Sequence, residues 1–119
     1  MIYWYNMPRH NVDAESAPAA VSDVVERLGA NIQTARLRRR WTVEELAGKA
    51  GISKETLSRA ESGRLTTGIG AYAAILWALG LHGQIGEIAA PESDAEGEAL
   101  AAARLGKRVR HRATLSDDF

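Results

Sequence analysis

The chain contains no cysteine, only three prolines and one phenylalanine, and carries no net charge. Without thiols there is neither a disulfide framework nor a thiolate metal site. His10, His82 and His111 lie too far apart along the chain to suggest a metal cluster, so no metal and no cofactor are expected. No apolar run approaches the roughly 20 residues that span a bilayer. The opening MIYWYNMPRH lacks the basic-then-apolar order of a secretory leader. These absences lead to the expectation of a cytoplasmic protein with no membrane association and no redox chemistry.

What is present is a chain of 119 residues, 45% hydrophobic and 25% charged, which has room for one compact domain with a modest core. Its wealth of Ala, Leu and Arg favours helices. The zero net charge resolves into blocks. Residues 31–68 carry eight basic side chains (Arg36, Arg38, Arg39, Arg40, Lys49, Lys54, Arg59, Arg64) against four acidic ones. Residues 69–103 hold five acidic groups and no basic ones, and residues 104–119 hold five basic and two acidic. The local excess of four positive charges over 31–68 is what a phosphate backbone would meet.

Three segments follow from pattern and punctuation. Residues 1–20 have no sustained period and contain Pro8 and Pro18, which reads as a flexible arm. Its aromatic cluster Tyr3, Trp4, Tyr5 is either an anchor or an incidental upstream extension, with Met7 as an alternative start. From Val21 onward, Val25, Leu28, Ile32, Ala35 and Leu37 approximate helical spacing and predict a helix beginning near Ser22 or near Gly29. Gly29 weakens its middle by about 1 kcal/mol relative to Ala. Thr42 with Glu45 has the capping-box form and opens a short helix through Ala50, which Gly51 ends. Ser53 caps a helix from Lys54 to about Ser62, which Gly63 terminates in a left-handed conformation. Two short helices therefore meet at a three-residue turn. Thr67 or Gly68 starts a fourth helix whose stripe is Ile69, Tyr72, Ile75, Leu76 and Leu79, closed by Gly80. Leu81, Ile85 and Ile88 extend it into a short amphipathic piece that Pro91 stops. Ser93 and Glu96 offer another capping box before an Ala-rich helix to about Leu105. The basic tail past Gly106 lacks a core pattern and is expected to be disordered when alone. The fold class is all-α, about five helices in a compact bundle over residues 21–90, with a C-terminal helix and basic tail over 91–119 and flexible ends.

The stretch WTVEELAGKAGISKETLSRAESG combines small Ala47 at a helix crossing, glycine at the turn, Ile52 and Leu57 beneath, and polar groups outward. Together with Arg36, Glu45, Leu46, Gly51, Ser53, Arg59, Glu61, Gly63 and the ALGL closing the fourth helix, it resembles the Cro/C1-type, or XRE-type, helix-turn-helix repressors over Ile32 to Leu81. Val43 departs from that pattern, standing where the family very often has Gln, so the contact such a Gln makes is not carried over. The resemblance implies double-stranded DNA binding and sets Lys54, Glu55, Ser58 and Arg59 as base readers, although the same side chains would equally suit a solvated helix face. Lys54 and Arg59 can donate to guanine, and Glu55 can accept from cytosine. Ser53, Thr56 and Ser62 are placed for phosphates, with Ser53 serving otherwise as a cap alone. Arg38, Arg39 and Arg40 either touch flanking phosphates or keep the protein soluble. Arg36 is expected both near phosphate and in a structural ion pair with Glu61.

One short recognition helix makes few contacts, so a homodimer on paired half-sites is expected, with Leu79, Leu81, Ile85 and Ile88 as its surface unless they only complete the monomer core. The order LHGQIGEIAAPESDAEGEALAAARLGKRVR resembles HipB-type antitoxins, which implies a HipA-like kinase toxin as partner and autorepression of the shared operon. A stand-alone or phage-like repressor is the alternative. No nucleophile with a base, no paired carboxylates and no phosphate-cradling glycine loop is evident, so no enzymatic activity is expected.

Overall fold

The computed structural model describes residues 16–117, with side-chain detail through Arg110. Among these residues the secondary structure is helical: α1 (Ala19–Arg38), α2 (Val43–Ala50), α3 (Lys54–Glu61), α4 (Ile69–Leu79), α5 (Gly83–Gly86) and α6 (Ala95–Asp117), with a 3-10 turn at Pro91–Ser93. The chain forms two compact units, one through Gly83 and one from Gln84. Most of the N-terminal arm, with Tyr3, Trp4 and Tyr5, lies outside the described residues, and α1 already begins at Ala19, ahead of both expected starts.

In the first unit the core consists of Ile32, Leu46, Ala47, Leu57, Ala60, Tyr72, Ile75, Leu76 and Leu79. Ile32 comes from α1, Leu46 and Ala47 from α2, Leu57 and Ala60 from α3, and the rest from α4. Each fully buried Leu or Ile stabilises this core by about 1.5–3 kcal/mol relative to exposure. Three positions read as apolar stripe face solvent instead, among them Val21 near the start of α1. Leu37 lies on the outer side of α1, and Ile69, in the first turn of α4, is 65% exposed.

Helix ends follow local chemistry. The Thr42 hydroxyl accepts from the Glu45 amide at 3.1 Å and opens α2. Ser53 does the same for α3, accepting from the Thr56 amide at 3.1 Å. Gly51, Gly63 and Gly80 adopt left-handed φ of 72°, 75° and 78°, and each lets the next residue's amide reach back into the preceding helix. At the end of α1 this role falls to Arg40, at φ 57°, with the Trp41 amide bonded to the Arg36 carbonyl at 3.2 Å. A side-chain-bearing residue in this region costs about 1–3 kcal/mol.

The second unit holds α6, packed against the Pro91–Ser93 turn. Its cap is Asp94, whose carboxylate accepts from the Gly97 amide at 2.9 Å, rather than Ser93. Ser93 is drawn into the turn by its amide bond to the Ala90 carbonyl. The tail expected to be disordered past Gly106 continues as helix to Asp117. Ala, Leu, Arg and Lys are strong helix formers and carry the helix on without a core-facing stripe. No helix among the described residues is long and apolar enough to cross a membrane.

Candidate nucleic-acid interface

Helix α3 is held from below and bare above. Leu57 and Ala60 are buried against α1, α2 and α4, which fixes the rotation of the helix about its axis. Lys54, Glu55, Ser58 and Arg59 consequently share one exposed face. Lys54 stands 4.0 Å from Glu44, an exposed pair of little energetic worth that leaves its ammonium accessible.

Gly29 brings α1 against the end of this helix. A methyl group at Gly29 would lie 2.6 Å from the carbonyl oxygens of both Ala60 and Glu61. The helix-weakening glycine of the sequence is thus the residue that permits the crossing. Two turns further along α1, Arg36 is 7% exposed and grips Glu61 with two nitrogens, Nε at 2.8 Å and Nη2 at 3.0 Å. Its Nη1 donates to the Trp41 carbonyl at 2.9 Å. The hydrogen bonds to Glu61 raise the Arg36 pKa above its ordinary value; burial opposes this and the Glu61 charge adds to it. The expected ion pair is therefore formed, whereas the expected phosphate contact of Arg36 is not available to so buried a group.

The arginine cluster after α1 separates into two kinds. Arg39 donates to the Ala35 carbonyl at 2.8 Å and to the Leu79 carbonyl at 2.9 Å, tying the end of α1 to the end of α4. Its guanidinium also lies 5.9 Å from the Trp41 ring, which Lys49 approaches at 4.7 Å. Arg39 is accordingly a brace between the ends of α1 and α4. Arg38 and Arg40 are exposed and make no ion pair or side-chain hydrogen bond among the described residues.

The hydroxyls are likewise unequal. Ser62 donates to the Ser58 carbonyl at 2.8 Å, so its proton is engaged within α3. Ser53 and Thr56 lie 2.9 Å apart, and whichever donates, the other keeps a proton free for an outside acceptor. Beside Thr56 is a hollow lined also by Arg59, Arg64, Thr66, Thr67 and Gly68. Gly68, in the lining of this hollow, starts α4 without a side-chain cap. Two guanidinium groups, threonine hydroxyls and a helix N-terminus suit a phosphate oxygen. Thr66 escapes the sequence pattern because it lies in a loop with no periodicity, and Arg64 is visible there only as one of the basic block over 31–68. Under this loop Tyr72 is buried, and that burial pushes its phenol pKa up.

Of the expected dimer surface, Leu79 is 4% exposed and belongs to the core, so it offers no surface to a partner. Leu81 and Ile85 are half-buried, and Ile88 is exposed.

A family model described as a helix-turn-helix domain matches residues 27–84. Residues 27–84 form a helix-turn-helix domain. The match runs from within α1 to just past α4, wider at both ends than the resemblance read from sequence. In well-studied helix-turn-helix proteins the second helix of the pair enters the major groove of DNA, and α3 is the second helix of the pair here. No curated protein matches the chain.

Proposed function

We propose that the protein is a sequence-specific double-stranded DNA-binding transcriptional repressor that acts as a homodimer. The observation that carries this reading is the exposed face of α3, where Lys54, Glu55, Ser58 and Arg59 stand together over a fixed, buried underside. Presented to the major groove, the two cations donate to guanine edges and Glu55 accepts from cytosine, each good pairing discriminating by about 1–3 kcal/mol. Arg38, Arg40, Thr56, Arg64 and Thr66 meet phosphates on either side and set the register.

Dimerisation is supported by α4, which is apolar on all sides and carries no charge. Its inner face is the core, while Ile69, Ala73 and Trp77 recur every four residues on the other face, with Trp77 62% exposed. A second copy covering this stripe would satisfy the rule that a helix hydrophobic all round is buried. A repressor of this kind works in the cytoplasm on the nucleoid and needs no cofactor or catalytic group.

Resemblance of the C-terminal order to HipB-type antitoxins supports the narrower reading of an antitoxin whose partner is a HipA-like kinase toxin. That reading is favoured by a second compact unit from Gln84 that leaves Leu100, Leu105 and Val109 exposed. A stand-alone repressor lacks such a partner. The deciding experiment for DNA binding is selection of bound duplexes from a random library. An enriched, two-fold-repeated site with half-sites about one helical turn apart supports the proposal, and a library that stays random after several rounds overturns it. Purification from the native genomic context then separates antitoxin from stand-alone repressor by whether a kinase co-purifies stoichiometrically.

A further inference from the structure

The second unit carries a charge arrangement that the helix-turn-helix domain does not account for. Acidic side chains gather before and in the first turn of α6, with Glu92, Asp94, Glu96 and Glu98, and basic ones follow from Arg104. Acids at the amino end are favoured by the helix dipole. The dipole does not explain the bases, because its effect is confined to a helix's terminal turns and α6 continues to Asp117. Arg104, Lys107 and Arg108 are spaced three and four residues apart, so they share one face within about 6 Å along the axis. All three are exposed, and among the described residues none has a carboxylate partner or a side-chain hydrogen bond.

Like charges at these spacings repel one another on an isolated helix. A surface designed only for solubility would intersperse both signs, whereas here no acid falls between Glu98 and Asp117. A polyanion with regularly spaced charges turns that repulsion into attraction. A bilayer surface is the poorer match, since interfacial helices set a bulky aromatic or leucine-rich face opposite their cations. The face of α6 away from Arg104 has Ala102, Leu105, Gly106 and Val109, with no aromatic residue.

We propose that Arg104, Lys107 and Arg108 form a second contact with duplex phosphates, blind to base sequence, that enlarges the electrostatic footprint of the chain. The proposal rests on DNA binding by the helix-turn-helix domain. Binding of the full-length protein and of an Arg104→Gln, Lys107→Gln, Arg108→Gln variant to a random-sequence 40-bp duplex would be followed by fluorescence anisotropy from about 50 to 300 mM KCl. Glutamine keeps helix propensity, and circular dichroism would check that α6 persists. Each phosphate neutralised contributes about 0.9 to the slope of log K against log salt. The variant is therefore expected to bind more weakly at low salt, with a slope shallower by about 2 to 3 per chain.

A variant slope equal to that of the parent protein overturns the α6 contact while leaving the DNA reading standing. A parent protein that binds no duplex at any salt overturns both. The same pair of proteins would be sedimented with vesicles containing one-third phosphatidylserine. Vesicle binding lost in the variant, with an unchanged duplex slope, assigns the face to an anionic lipid surface and likewise overturns the proposal.

Discussion

Gly29 and Ala60 approach so closely that a methyl group on the glycine would lie 2.6 Å from the Ala60 carbonyl oxygen, backbone against side chain with no flexible atom to yield. In a solvent-facing helix Gly→Ala gains about 1 kcal/mol. At this crossing the sign reverses, because overpacking against a backbone costs about 1–3 kcal/mol or more and the displaced element is α3 itself. Gly29→Ala is expected to lower the midpoint of thermal unfolding by several degrees and to weaken DNA binding in proportion to the tilt of α3. Calorimetry and duplex titration on the same preparation check both; an unchanged or raised midpoint contradicts the crossing.

The neighbouring Arg36–Glu61 pair predicts a non-additive response. Removing one partner strands a buried charge, so Arg36→Met is expected to lose about 3–5 kcal/mol in urea unfolding. The double variant Arg36→Met, Glu61→Leu removes both charges and should recover most of that loss, less the bond to the Trp41 carbonyl. A double variant no more stable than the single one would mean that the pair holds α1 to α3 by geometry that hydrophobic packing does not replace.

These two contacts show what the sequence conveyed and what it withheld. The ends of α2, α3 and α4 were legible because Thr42, Ser53, Gly51, Gly63 and Gly80 cap by local chemistry that spacing reveals. The end of α1 was not, because Arg40 occupies the left-handed position that glycine normally marks. The tail of α6 escapes the pattern for a different reason: periodicity reports burial, and through Arg110 this helix has no buried side to report. On the candidate interface, the face of α3 followed from helical spacing. The division of labour among Arg36, Arg39 and Arg40 depends on where α4 ends and where Trp41 sits, which are tertiary facts. Likewise Leu79 and Ile69 are both apolar on one helix, and only packing decides that the first is inside and the second outside.

Arg39 and Arg40 are adjacent and equally charged, yet should respond in opposite ways. Arg39→Ala removes donors to the Ala35 and Leu79 carbonyls and is expected to reduce stability by about 1–2 kcal/mol with little change in the salt dependence of DNA binding. Arg40→Gly relieves a left-handed side chain and should be neutral or stabilising by up to about 1 kcal/mol. It should also make the slope of log K against log salt shallower by about one if Arg40 meets a phosphate. Paired unfolding and titration curves test the contrast, which disappears if the two arginines act as an undifferentiated basic patch.

Trp77 and Leu79 offer a parallel contrast for self-association. Trp77→Glu places a charge on the exposed stripe of α4 and is expected to shift a dimer to monomer in sedimentation velocity while leaving the monomer folded. Leu79→Ala opens a cavity and should cost about 2–5 kcal/mol of stability without singling out the dimer. A Trp77→Glu protein that sediments as the parent does would remove α4 from the dimer surface.

Arg59 lies where the α3 face meets the hollow beside Thr56, so its guanidinium can serve a base edge or a phosphate but not both fully. The two roles separate in competition. As a base reader, Arg59→Ala should lose about 1–3 kcal/mol on the selected site and much less on random duplex, with relaxed preference at one position per half-site. As a phosphate ligand it would weaken both duplexes alike and make the salt dependence shallower by about one unit, leaving sequence preference intact. The exposed position of Arg59 one turn after Glu55, on the same face as Lys54 and Ser58, favours the first outcome. Equal losses on the two duplexes would move Arg59 to the phosphate side of the interface and leave Lys54 and Glu55 as the base-reading pair.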